Sequence, residues 1–287
     1  RELARRYHDA EFLLNADAGG GTLDAEGKPV LFEIQAAEKS YADFLLTVTS
    51  PGGHSSEPNP SHNAIYKLAK ALDAVAAHQF PVQHNEITLA SLKALGTHES
   101  GALAEAMRTF AAHPDDARAA AVISADPAYV GQIRTTCVAT MLDGGHALNA
   151  LPQRADANIN CRIFPGVSVA SVKATLAKVI DNPAVSITVR PPPPVESPAS
   201  PLRPDVMKAV SATIHERFPG VDVVPGMSSG ATDSMHFRNA GVPCFGVSPN
   251  FAKANDTFAH GLNEKLPAKE VPAALDYWHS LLTRVTR

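Results

Sequence analysis

The chain has 287 residues, 45% of them hydrophobic, 19% charged, with a formal net charge of −4. That is enough apolar material for one large domain or two ordinary ones. The mildly acidic balance and scattered Lys and Arg offer no electrostatic footprint for nucleic acid. No run of about 18 apolar residues exists, so no segment is expected to span a membrane as a helix. Cys137, Cys161 and Cys244 are odd in number, widely spaced and without a CxxC pair, so buried free thiols are expected, not a disulfide framework or zinc knuckle. The opening residues Arg1–Arg6 lack a Met and the apolar core of a signal peptide, and they read as the middle of a helix. An upstream segment is therefore expected, and the compartment stays open.

In chain order, a helix end over about 1–10 leads into the apolar run Phe12-Leu13-Leu14, which stops at Asn15-Ala16-Asp17 before Gly19-Gly20-Gly21. A polar residue at the end of such a strand is where α/β proteins build sites. The glycines lack GxGxxG spacing, so a dinucleotide loop is not expected. From Lys39 the pattern changes. Residues 41–49 read as a strand ending at Pro51-Gly52-Gly53. Apolar residues at Ile65, Leu68, Leu72 and Val75 then predict a helix over 63–77. Helical stretches follow at about 101–112 and 114–125. Strands are predicted at 133–142 and 155–163, a helix over 168–181 capped by Ser168, and a strand over 185–189. Strand–helix–strand–strand–helix–strand is the order of a ferredoxin-like module. The prolines at 191–194 make a stiff connector. Beyond them come a helix over 203–218, short strands near 221–224 and 243–247, and a last helix over 268–284. The organisation expected is an α/β domain made from residues 1–37 and 191–287, interrupted by a module over 38–190.

Six short motifs lie along this framework: Asp17 with its glycines, Gly52-Gly53-His54-Ser55-Ser56, Asn149-Ala150-Leu151-Pro152, the Arg162 strand, Gly230-Ala231-Thr232-Asp233 and His260-Gly261-Leu262-Asn263-Glu264. Alone, Asp17 reads as a turn aspartate, His54 as a turn histidine and Arg162 as a sheet-edge arginine. Together and in this order they resemble the aminoacylase, carboxypeptidase and succinyl-diaminopimelate desuccinylase family of co-catalytic zinc hydrolases.

That resemblance implies a zinc-exopeptidase-like α/β domain, incomplete at its N-terminus, carrying an inserted ferredoxin-like α+β dimerisation or lid domain. It implies two divalent ions, zinc in most members, with Asp17 and His260 as ligands. Carboxylate and imidazole suit such ions. It also implies that His54 reaches the partner subunit's active site to steady a developing oxyanion. Asn149, Arg162, Gly230, Thr232 and Asp233 are implied in binding substrate, with Arg162 gripping a free carboxylate. The expected substrate is a small peptide or N-acyl amino acid, the expected assembly a homodimer, and neither nucleic acid nor membrane is an expected partner. The dimer surface is expected on the helix over 63–77 and the strand over 41–49.

The chain departs from the family in three ways. The His-x-Asp, bridging Asp and Glu-Glu elements of such enzymes have no counterpart here, since His113-Pro114-Asp115 lies in the inserted segment and reads as a helix start. Met235 stands where aminoacylase-like members carry an Arg. The α/β domain lacks the strands that would precede residue 1, so its sheet should show raw edges. A metal-dependent amide hydrolase, here incomplete, is therefore weighed against a non-catalytic dimerisation or binding protein derived from one.

Overall fold

The computed structural model describes residues 1–253, 261–266, 268 and 270–286. The chain divides into two compact units. One contains Arg1–Glu38, His84–Ile133 and Ser197–Arg287, and the other Lys39–Gln83 and Arg134–Glu196.

The first unit is built on the ten-residue strand Pro29–Glu38. Strand Asp222–Ser228 runs parallel to it along one side. Gly20–Leu23 pairs antiparallel with it along the other, and Gly246 meets Gln35 beyond the end of Gly20–Leu23. Leu13–Asn15 adds in parallel to Cys244–Gly246, and Phe251–Lys253 to Gly20–Leu23. Alternation places Phe32, Ile34 and Ala36 on one face, all fully buried. Phe32 meets the rings of Phe251 at 5.8 Å and Tyr277 at 6.3 Å. The helices Pro204–Arg217 and Glu270–Val285 are tied together by the two-pronged Arg217–Glu270 ion pair, at 2.9 and 3.0 Å.

The inserted module was expected over 38–190. Within that span residues 84–133 group with the first unit, helix Glu86–His98 packing on strand Asp222–Ser228. His98 Nε2 lies 3.1 Å from Asp222 Oδ2, and Gln132 donates to the Met227 carbonyl at 3.0 Å. The helix Glu86–His98 in this segment opens with a reciprocal cap: Thr88 N–H donates to Asn85 Oδ1 and Asn85 N–H to Thr88 Oγ1.

The second unit has the expected ferredoxin-like layout. Its antiparallel sheet runs Thr136–Gly144, Arg154–Ile163, Ser40–Thr49, Val185–Val189, with helices Ala64–Ala77 and Val169–Ile180. Ala42, Phe44, Leu46 and Val48 alternate into a core with Leu68, Val75, Ile159 and Leu176. Strand Ser40–Thr49 lies inside the sheet, hydrogen-bonded on both sides, and strand Thr136–Gly144 is paired on one side among the described residues. One expectation is corrected. Cys137 and Cys161 are not free thiols. The register sets them directly opposite, Cα atoms 4.1 Å apart, and they form a disulfide. Their 24-residue separation hides that pairing in the sequence. Cys244 is free and buried, as expected.

Candidate active site

In the first unit the decisive side chain is Asn15, at the end of its strand. Its Oδ1 accepts the Asp17 N–H at 2.9 Å. Its amide donates to Ser234 Oγ at 2.8 Å and to Thr232 Oγ1 at 3.4 Å. One residue thus fixes the exposed Asp17 turn against the loop that carries Gly230, Thr232 and Asp233. Gly19 closes the turn at φ +74°, where a Cβ would stand 2.3 Å from the Gly246 carbonyl oxygen. Only glycine fits.

Beneath the loop lies a pair that the sequence did not single out. Thr232 N–H donates to Glu38 Oε2 at 2.6 Å, and Glu38 Oε1 faces Arg238 Nη1 at 2.8 Å. Both side chains are buried. Arg238 also donates to Ser200 Oγ, Gln35 O and Cys244 O, and Ser197 lies 3.4 Å from Glu38. Burial pushes the Glu38 carboxyl up, against the pull of Arg238 and Thr232. The sequence signals were a charge ending a buried strand and an Arg late in a short helix. Gly230 is exposed, its N–H on Ser228 Oγ. Asp233 is exposed and precedes helix Ser234–Asn239 without a side-chain cap bond. His260 lies outside the described residues, so its expected meeting with Asp17 is not on view.

In the second unit a two-residue ladder pairs Gly53 with Leu151 and His54 with Ala150. Ser55 N–H donates to the Asn149 carbonyl at 3.0 Å, so His54 and Asn149 are neighbours. The exposed His54 ring meets Ser56 Oγ at 2.7 Å and the Ser56 N–H at 3.2 Å through Nδ1, so Nε2 is not used in these bonds. The Ser50 N–H bond to Gln153 O puts this ladder at the Arg154 end of strand Arg154–Ile163. Arg162 is at the other end, opposite Tyr41 and Thr136. Eight residues of strand separate the two ends, roughly 26 Å at 3.3 Å per residue. Arg162 lies over the Tyr41 ring, 4.7 Å from its centroid.

The described residues contain no group of three or more His, Cys, Asp or Glu able to hold a metal ion. Asp17 is a single exposed carboxylate. The described part of the chain therefore does not by itself fit a pair of ions.

Residues 36–188, more than half of the chain, match the peptidase dimerisation domain of the M20 peptidases. The chain belongs to the M20 peptidase family. Among its M20 relatives, the mouse N-fatty-acyl-amino acid synthase/hydrolase PM20D1 is 30% identical over 272 residues, 92% of this chain and 52% of that protein. The "Probable carboxypeptidase S-like 2" of Dictyostelium discoideum is 28% identical over 263 residues, 89% of this chain and 48% of that one. The chain thus spans about half the length of the curated relatives it matches. The M20 metallo-carboxypeptidase Sso-CP2 of Sulfolobus solfataricus shares the fold, with a TM-score of 0.66 at 16% identity over 98% of this chain and 66% of that one. So does the dipeptidase Dug1p of Saccharomyces cerevisiae, with a TM-score of 0.62 at 14% identity over 99% and 62%. No helix among the described residues is long and apolar enough to cross a membrane.

Proposed function

We propose that this chain supplies the substrate-binding walls of a metal-dependent hydrolase that cleaves amide bonds in N-acyl amino acids or small peptides. Support comes from its M20 membership, from relatives named for N-fatty-acyl-amino acid and carboxypeptidase activities, and from one observation above all. His54 and Asn149 sit together at one end of the second unit, and Arg162 at the other. Groups roughly 26 Å apart cannot touch one small substrate. Two copies related by a twofold can bring the Arg162 end of one to the His54 end of the other.

In that arrangement the Arg162 fork takes the substrate carboxylate, and the amide of the partner's Asn149 orients the acyl amide. The partner's His54 donates from Nε2 to the oxygen on which negative charge develops. The 230–233 loop, braced by Glu38 and Asn15, lines the wall beside Asp17. Zinc, the metal favoured for such a hydrolase, supplies an activated water when bound. Asp17 and His260 are this chain's candidate ligands. Two ligands fix no ion pair, so no step is assigned to them.

The missing three-ligand cluster among the described residues favours a second reading, a binding protein that performs no chemistry. Assays of the 287-residue chain with zinc, cobalt or manganese separate these readings. The expected result is carboxylate-dependent binding of N-acyl amino acids, lost in Arg162→Ala, with turnover near background because the described residues hold no three-ligand metal group. Chelator-sensitive turnover abolished by His260→Ala would show a complete metal site assembled from unrecognised residues. Binding indifferent to the carboxylate would remove the substrate reading.

A further inference from the structure

Strand alternation puts residues 39 and 41 on one side of the second unit's sheet, beside Arg162 and Thr136. Lys39 is 0% exposed and among the largest fully buried side chains of the chain. Among the described residues its Nζ has one hydrogen bond, a long one of 3.4 Å to Thr136 Oγ1. No carboxylate among the described residues forms an ion pair with Lys39 or with Arg162, whose positive charge presses on Lys39. The acid on the same face, Asp43, is already engaged by the Asn158 and Asn160 amides at 2.8 and 2.9 Å and by the Tyr41 hydroxyl.

A buried ammonium beside a guanidinium, with no anion between them, is unfavourable unless a charge is lost or a negative group arrives. In the free protein the ammonium gives way: burial, and then Arg162, bring Lys39 down to about 7. A hydrophobic residue would fill the same space without that cost. We propose that Lys39 is the second cation of a carboxylate-binding subsite, closing with Arg162 and the Thr136 hydroxyl around the free carboxylate of an N-acyl amino acid. The proposal rests on the reading of Arg162 as the carboxylate anchor. Arg162 takes the two carboxylate oxygens with its fork, and Lys39 adds a point charge from the buried side. Tyr41 keeps the guanidinium plane in place by stacking. Lys39 would thereby set the preference for a free acid over an amide or ester.

The test is equilibrium binding of N-acetylleucine and of its amide to the full chain, native and with Lys39→Met, Lys39→Arg and Arg162→Met. The native chain is expected to prefer the acid. Lys39→Met should cut the acid-to-amide ratio about tenfold, as for loss of one charged hydrogen bond, and Lys39→Arg should restore most of it. A role confined to folding would weaken both ligands equally and leave the ratio unmoved. An unchanged ratio in Lys39→Met beside a lost one in Arg162→Met overturns the proposal and leaves the Arg162 reading intact. A native chain with no acid preference overturns both. Should Lys39→Met not fold, nitrogen NMR of lysine-labelled native chain decides: saturating N-acetylleucine must shift the Lys39 ammonium signal, and an unmoved signal refutes the contact.

Discussion

Glu33 shows how far one side chain can set the pH response of this fold. It lies on the central strand over Gly226, where an added Cβ would stand 1.9 Å from the Glu33 Cδ. Burial pushes its carboxyl up to about 7. The folded state therefore holds a proton between about pH 4.5 and 7 that the unfolded chain releases. The associated stability is complete below pH 4.5 and is lost as pH rises through 7. Glu33→Gln should leave stability near native at pH 5 and raise it relative to native at pH 8, by on the order of 2 kcal/mol. Urea unfolding of both proteins at the two pH values checks this. The difference between them cancels the opposite contribution of Lys39, whose lowered value adds stability above about pH 7. A difference independent of pH would contradict it. The Glu38–Arg238 pair is buried on both sides. Arg238→Met leaves a buried carboxylate with only Thr232 and Ser197, and a loss of roughly 3–5 kcal/mol is expected in the same experiment. At this scale the sequence was legible where turn chemistry marks a residue, as at Asn15-Ala16-Asp17 and Gly52-Gly53-His54. It was silent on Glu38, Arg238 and Lys39, whose partners lie far along the chain or are missing.

Among the elements, the outer strand Thr136–Gly144 stands apart. Its side away from Arg154–Ile163 has no strand beside it among the described residues, and Val138, Met141 and Leu142 are 57%, 65% and 69% exposed. With Ile65, Leu68, Ala69 and Leu72 of helix Ala64–Ala77, Leu142 borders a groove of about 330 Å³. Edge strands of stable monomers are usually blunted by charge, proline or cover. This one has the character of a surface that pairs with a second copy, as the family's domain description suggests. Leu142→Glu should convert a dimer to a monomer by sedimentation at micromolar concentration, with the far-ultraviolet circular dichroism unchanged. A dimer that survives it would place the interface elsewhere. The sequence marked this helix and most strands of the second unit because alternation and 3.6-residue spacing are undisturbed there. It failed on Pro29–Glu38, where Glu33, Gln35 and Glu38 interrupt the apolar run, although all three sit in or beside the core. It also passed over helix Glu86–His98, whose buried positions include Thr88, Ser91 and Gly96. The strand over 41–49 was read well as an element, while its place inside the sheet was not read, since pairing order is a long-range property.

For the whole molecule, the division of labour between the two units carries the functional account. The change of pattern at Lys39 and the proline run after 190 mark the second unit's outer limits. Nothing in the local sequence marks residues 84–133 as belonging to the first unit, because their helices are amphipathic in the same way whichever sheet they cover. In the proposed function each substrate site is completed by two copies, Arg162 from one and the Asn149–His54 ladder from the other. Mixing the two defects tests this. Asn149→Ala and Arg162→Ala chains are prepared separately, then exchanged, and titrated with N-acetylleucine. Each variant alone should bind weakly. Random mixing makes half the dimers mixed, each with one intact site of two, so about a quarter of native capacity should return with native affinity. Capacity that never rises above that of the separate variants, in chains shown to exchange, would contradict a site shared between subunits.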